Sequence, residues 1–540
     1  MKLKKTAAIG VVATAACALA VPAAANSDFS YMEPVAAGAK LKVLATSGDT
    51  FGGVLFPGVP DGIGVLRDGK NAVILVGHEL SATNAVAAST SRANGAATSS
   101  TVSALNLDID TQSITAARDL LSSVVWYDYA NKKASTTPTA PAGAAAKDEF
   151  GTPNHTKALN RFCSSHVTQP GELSYRVKGK DGKFITYGYT GAAYFTGEEG
   201  GDESRGFVMN TDGQLVQLPK LGLAAWENFL LNPNSGRTTV VMGNEDGAAT
   251  DSQLYMYVGQ KETTGEWYEK AGLTNGQQYV LQVPGNPTDN DFRKNVGKGV
   301  ATLVTFNPIN TDVNGKEQNI QARSVGSVFS RVEDGAWDPQ NPNIYYFVTT
   351  ESNKDKGATA PNPATPTVSR DGGALWRLAF NDVKNPTAGA SLTMLLNGTE
   401  APYLSKPDNI EVDGFGNVLI QEDPGNNDHV ARMVAYRISD GKLATVAKFK
   451  NDYFAVGGKQ FITKDEESSG VTNVTDIIRK SKDDKNSYYI YDAQIHATPT
   501  ASRPDLAGNT AALAALNLAV EGGQVYLLTI PDWNAVYAGQ

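Results

Sequence analysis

PDGIGVLRDGKNAVILVGHE, Pro60–Glu79, reads as a strand opened by an acid, a turn at Asp68-Gly69, and a second strand ending on another acid. Three further stretches repeat it: ENFLLNPNSGRTTVVMGNED (Glu227–Asp246), EDGAWDPQNPNIYYFVTTE (Glu333–Glu351) and PDNIEVDGFGNVLIQED (Pro407–Asp423). The acid-to-acid spacing is 18 from Asp61 to Glu79, Glu227 to Glu245 and Glu333 to Glu351, and 14 from Asp408 to Glu422. An antiparallel hairpin sets the start of one strand beside the end of the next, so each unit gathers its carboxylates at one end. Arranged around an axis, those ends converge, and converging carboxylates repel unless protons or polyvalent cations compensate.

Strand-like runs recur at Val73–Val76, Ala192–Phe195, Thr238–Met242, Ile344–Val348, Val418–Gln421, Tyr488–Tyr491 and Val525–Ile530, divided by turns such as Asp212-Gly213 and Asp440-Gly441. GYTGAAYFTGEE, Gly188–Glu199, is a fifth candidate unit, and a sixth falls near Tyr488–Asp492 or in the C-terminal strands. Radial repetition of such groups predicts an all-β protein, a β-propeller with helical and loop insertions, over a two-sheet sandwich. Residues 81–101, 132–147 and 352–370 read as loops, the second of them mobile, and Ala507–Ala519 as a short helix. None has the character of an interdomain linker, so residues 26–540 are expected to form one decorated propeller.

Residues 1–25 read as a secretion signal: Lys2, Lys4 and Lys5, then apolar Ala7–Val21, then Ala23-Ala24-Ala25 at the cleavage site. The apolar run is shorter than the roughly 20 residues of a membrane anchor, and no twin arginine precedes it. The expected location is periplasmic or extracellular. Removing the three lysines takes the formal charge from −9 to −12, which repels nucleic acid and suits cations. Cleavage also leaves Cys163 as the sole cysteine, excluding an intramolecular disulfide. It is either a buried small residue or a metal ligand or reactive thiol.

Four acidic groups stand out: Glu198, Glu199 and Asp202; Glu245 and Asp246; Glu333 and Asp334 beside Arg331; and Glu422 and Asp423. For a single pair, a solvated turn is the simpler account; recurrence at matched hairpin ends argues for calcium, which takes six to eight oxygens. Arg331 lies two residues before Glu333, on the same strand face, where it can offset surplus charge or grip an anion. His78 is placed to orient Glu79, and His166, three residues after Cys163, lacks the further ligands of a zinc site. No G-x-S-x-G, P-loop or dinucleotide fingerprint is present.

The sequence resembles the PhoX-type alkaline phosphatases in five ordered segments: GHEL (Gly77–Leu80), NRFCSS (Asn160–Ser165), TGEEGG (Thr196–Gly201), SRVEDGAWDP (Ser330–Pro339) and the PDN strand from Pro407 with its closing acids. Val332 stands where that family's motif has proline. The resemblance implies a six-bladed propeller and a phosphomonoesterase using calcium and iron. It implies Cys163 as an iron ligand, Glu198 or Glu199, Glu245 and Glu333 as metal ligands, and Arg331 as the phosphate-binding residue. Taken together, the expected catalytic residues are Arg331 and Glu333. The expected metal ligands are Cys163, Glu79, Glu198, Glu199, Glu245, Asp246, Glu333 and Glu422. The expected partner is a small phosphorylated substrate, with neither nucleic acid nor a membrane anchor. Two other readings fit the same acids: a non-catalytic calcium-stabilised propeller binding an extracellular ligand, and a calcium-dependent lactonase or phosphotriesterase.

Overall fold

The computed structural model describes residues 29–83, 99–248, 250–351, 361–362, 365–369 and 372–538. The expected export signal lies outside them, as do most of the loops at 81–101 and 352–370. The strands form six radial blades. In chain order, their innermost strands are Pro60–Asp68, Phe162–Thr168, Trp226–Leu231, Val332–Trp337, Pro407–Val412 and Glu466–Asn473. Each packs against the next, and the last packs against the first, so the circle closes. The second strands are Asn71–His78, Ala193–Glu198, Thr238–Glu245, Ile344–Thr349, Asn417–Glu422 and Ser487–Ile495. Six of the expected strand runs fall in these second strands, and Val525–Ile530 in the next strand of the sixth blade, Gly522–Ile530.

Closure depends on the beginning of the chain. Lys40–Thr46 pairs antiparallel with Gly522–Ile530 as the outer strand of the sixth blade, and Met32–Pro34 adds to Leu443–Phe449 of the fifth. The third and fourth blades are joined at their outer edges through Thr302–Pro308. The segment expected to be mobile is partly a strand, Lys133–Ser135, and is pinned where Ala145 N donates to Glu203 Oε1. The helix expected near Ala507–Ala519 spans Thr510–Leu516.

Alternation along the strands puts apolar side chains on the faces that meet between blades. Tyr194, Phe162 and Phe207 of the second blade meet Leu75, Val102 and Ala104 of the first. Trp376, Phe347 and Tyr345 of the fourth meet Leu230, Val240 and Met242 of the third. Comparable clusters fill the other four interfaces. At roughly 1.5–3 kcal/mol per large buried side chain, these interfaces hold the ring together. They leave the blade ends at the axis free to carry polar groups.

Candidate metal centre

Every blade has a bulge in its innermost strand, at the start of the strand in the first five. Pro60 pairs with His78 but Ile63 with Val76; the same one-residue excess follows Phe162, Trp226, Val332 and Pro407, and in the sixth blade it falls between Ser469 and Val471. Bulges re-aim side chains. One residue after each first-paired residue come Asp61, Cys163, Glu227, Glu333, Asp408 and Glu467, all buried. They form a ring around the axis.

A second repeated contact fixes the level above. The amides of Glu79, Glu199, Asp246, Thr350, Asp423 and His496 donate to the carbonyls of Val59, Arg161, Ala225, Arg331, Lys406 and Asp465, at 2.9–3.0 Å. These donors are the residues just past the second strands, and the acceptors lie two residues before the ring. Below the ring, Asn228 Nδ2 donates to Asp334 Oδ1 at 2.7 Å, and Asn409 Nδ2 donates to Ser164 Oγ at 3.0 Å. A Cβ on Gly62 would lie 2.5 Å from Ser165 N, so this close approach of blades requires glycine.

Four overlapping groups have ligand atoms within 4.8 Å of one another: Asp61, Cys163 and Glu227; Glu79, Cys163 and Glu199; Glu227, Glu333 and Asp408; and Asp408, Asp423 and Glu467. Together they hold eight carboxylates and one thiol, more negative charge than the nearby Arg161, Arg331, Lys406 and His496 offset. Burial, then mutual repulsion, raises Asp61, Glu227, Glu333 and Asp408 well above the ordinary carboxylate range. Burial and adjacent carboxylates likewise push the Cys163 thiol up. Asp61 Oδ1 and Glu227 Oε1 are buried with no hydrogen-bond partner. Orphaned hard oxygens in this number suit calcium, and a thiol at one end of the ring suits a softer transition metal such as iron.

Glu79, Glu199, Glu333 and Cys163 are brought together, and Asp246 stands beside them on Arg331. The Arg331 Nε and Nη2 donate to Asp246 at 2.8 and 2.6 Å, and Nη2 lies 3.2 Å from Glu333. Glu198 and Glu422 have other work. Arg205 grips Glu198 through Nε and Nη2 at 2.7 and 2.6 Å, and Arg432 grips Glu422 at 2.9 and 2.6 Å. Both carboxylates also accept an amide three residues before the ring, from Asn160 and Ser405. They anchor the turns that carry Cys163 and Asp408, and they lie outside the gathered groups. Burial would raise Glu422, but Arg432 and His429 outweigh it and bring it down to about 2. Glu245 accepts from Gln253 N at 2.9 Å and faces Asp251 and Asp202, also outside those groups. His78 bonds Gly58 O and Ser103 Oγ, anchoring the strand end before Glu79.

Asp61, Glu227, Asp408, Asp423 and Glu467 complete the centre beyond the expected ligand set. The first three are the opening acids of the repeats themselves. Glu467 had no such signal, because the second strand of its blade ends on Gln494-Ile495-His496 instead of acids.

Above the centre opens a cavity of about 590 Å³, lined by Arg161, Arg331, Glu199, Asp246 and the turn that carries Lys147 and Phe150.

Fold and centre together define a six-bladed propeller with an anionic, metal-suited ring at one mouth. The family model described as alkaline phosphatase PhoX matches residues 200–477, more than half of the chain, and the chain belongs to that family. The structure of Pseudomonas fluorescens PhoX in complex with vanadate, a transition state analogue, is similar with a TM-score of 0.60 and 12% identity, covering 96% of this chain and 98% of that one. At that identity the likeness concerns the fold. The Synechocystis apocarotenoid oxygenase matches at a TM-score of 0.29 and 9% identity over 85% and 88% of the two chains, too low to support an inference. Comparison with curated proteins finds no match.

Proposed function

We propose that this chain is an exported, metal-dependent phosphomonoesterase. The observation that carries the reading is the ring itself: six buried side chains at one repeat position, with orphaned oxygens and an arginine fork beside Glu333. Asp61, Glu227, Glu333, Asp408 and Glu467, with Glu79, Glu199 and Asp423, would hold calcium; Cys163 with its neighbours would hold iron. Bound there, the ions supply Lewis acidity to a phosphoryl oxygen and activate water for attack.

The chain's own residues do the rest. Asp246 fixes the Arg331 guanidinium in its plane through two hydrogen bonds. Its Nη1 edge, 3.8 Å from Glu351, is the side that meets phosphoryl oxygens, for which a planar fork is suited. The leaving group extends into the cavity towards Lys147 and Phe150. Membership of an alkaline phosphatase family supports the reaction class, and the N-terminal sequence supports export. Among the described residues no helix is long and apolar enough to cross a membrane.

Elemental analysis of the purified mature protein, with its visible spectrum and a phosphomonoester assay on the same sample, tests the reading. Iron with calcium, together with phosphate release, is expected. Calcium alone without phosphate release would overturn it in favour of a binding propeller. A preference for lactones or triesters would overturn the substrate assignment.

A further inference from the structure

Two guanidiniums at the rim share one repeat position. Arg161 and Arg331 stand two residues before Cys163 and Glu333, both in left-handed backbone, with φ 46° and 63°. Their carbonyls accept the same strand-end hydrogen bond, from Glu199 N and Thr350 N, at 3.0 Å. Each guanidinium spans two carboxylates. Arg161 Nη2 is 2.6 Å from both Glu79 and Glu199, while Arg331 Nη2 is 2.6 Å from Asp246 and 3.2 Å from Glu333. Both line the same cavity. Lys406 holds the equivalent position in the fifth blade, but it is not among the residues lining that cavity.

The two differ in how fully their donors are engaged. Arg331 Nε is bonded to Asp246 and its Nη1 lies 3.8 Å from Glu351, whereas both carboxylate contacts of Arg161 run through Nη2, and its side chain is 34% accessible in the cavity wall. Arg161 therefore keeps its Nη1 edge for a ligand in the cavity, where a charge-assisted hydrogen bond adds to binding. A monoester phosphoryl group carries close to two negative charges and three non-bridging oxygens, and a single guanidinium fork engages at most two of them.

We infer that Arg161 is a second phosphoryl-binding residue, closing a two-arginine clamp with Arg331 across the cavity. The inference rests on the phosphatase reading above and sharpens its substrate class. Two forks together engage the three non-bridging oxygens of a monoester, whereas a diester offers only two and needs a single fork.

The test uses the purified, metal-loaded mature protein and two readouts: calorimetric binding of inorganic phosphate, and steady-state hydrolysis of p-nitrophenyl phosphate. Arg161→Gln is expected to weaken phosphate binding and raise KM by ~10-fold or more, the scale of a lost charge-assisted hydrogen bond. Its metal content should equal that of the wild type. Arg161→Lys, which keeps the charge but loses the fork, should fall between the two, and it reads the same role if the glutamine variant does not fold. Unchanged phosphate binding and KM in the variants would overturn the clamp. So would loss of metal with binding unchanged per loaded molecule, because Arg161 would then serve only to balance Glu79 and Glu199. A wild-type protein that binds phosphate through Arg161 yet hydrolyses no ester would overturn the phosphatase reading alone.

Discussion

The Cys163 thiol lies 3.2 Å from Asp61 Oδ2, joining two neighbouring blades at the same position of the repeat. Cysteine stands at one of six otherwise acidic places, and the pair shares a group with Glu227. A soft ligand among hard ones selects a different ion at that point of the ring. Cys163→Ser is expected to lose iron and the thiolate-to-iron absorption band while retaining calcium. Visible spectroscopy with elemental analysis checks this; a variant with unaltered iron and spectrum would remove Cys163 from the ligand set.

Adjacent glutamates should behave oppositely on substitution. Glu198 is buried in a bidentate pair with Arg205, whereas Glu199 faces Glu79 and Cys163. Glu198→Gln strands the Arg205 charge and should cost about 3–5 kcal/mol of stability, with metal content per folded molecule unchanged. Glu199→Gln removes a carboxylate from a crowded anionic site and should lower metal content with far less loss of stability. Denaturant melts and elemental analysis of both variants decide it. Metal lost from the Glu198 variant alone would reverse the assignment.

That opposition also shows what the sequence could and could not reveal. The repeat made the propeller legible, because alternating strands and turns at matched spacing survive in one dimension. The opening acids Asp61, Glu227, Glu333 and Asp408 marked four of the six ring positions. Within a closing pair such as Glu198-Glu199, consecutive strand residues point to opposite sides. Which one faces the axis depends on bulges and on Arg205, just before the next strand of its blade, or Arg432, which opens the next strand of its own, a tertiary fact. The second and sixth blades were harder still. One opens on Phe162-Cys163 instead of an acid, and the other closes on Gln494-Ile495-His496.

Protons and cations should compete for the centre. Burial, then mutual repulsion, raises the ring carboxylates Asp61, Glu227, Glu333 and Asp408 well above the ordinary carboxylate range. An unfolded carboxylate titrates near ~4. Above that value the ion-free ring holds more protons than the unfolded chain, so its contribution to stability is fully present below about pH 4 and is lost as pH rises through the raised range. Calcium takes the place of those protons and removes the loss. Thermal melts at pH 5 and pH 8, in chelator and in calcium, should show a lower Tm at pH 8 in chelator only. Equal pH dependence in both media would mean that the ring does not bind calcium.

Asp246 and Glu333 both touch Arg331, yet their loss should be distinguishable. Asp246 holds the fork in its plane through two hydrogen bonds, while Glu333 also belongs to the group with Glu227 and Asp408. Asp246→Asn leaves that group intact and loosens only the arginine, so kcat/KM should fall ~10- to 100-fold with metal content preserved, as for loss of a supporting contact. Glu333→Gln removes a carboxylate from the ring and should lower both metal content and kcat, the latter by ~100-fold or more. Excess calcium and iron should not restore the Asp246 variant, because its ions are already in place. If added metal rescued Asp246→Asn, Asp246 would be a ligand in its own right and Arg331 would be held by Glu333 alone.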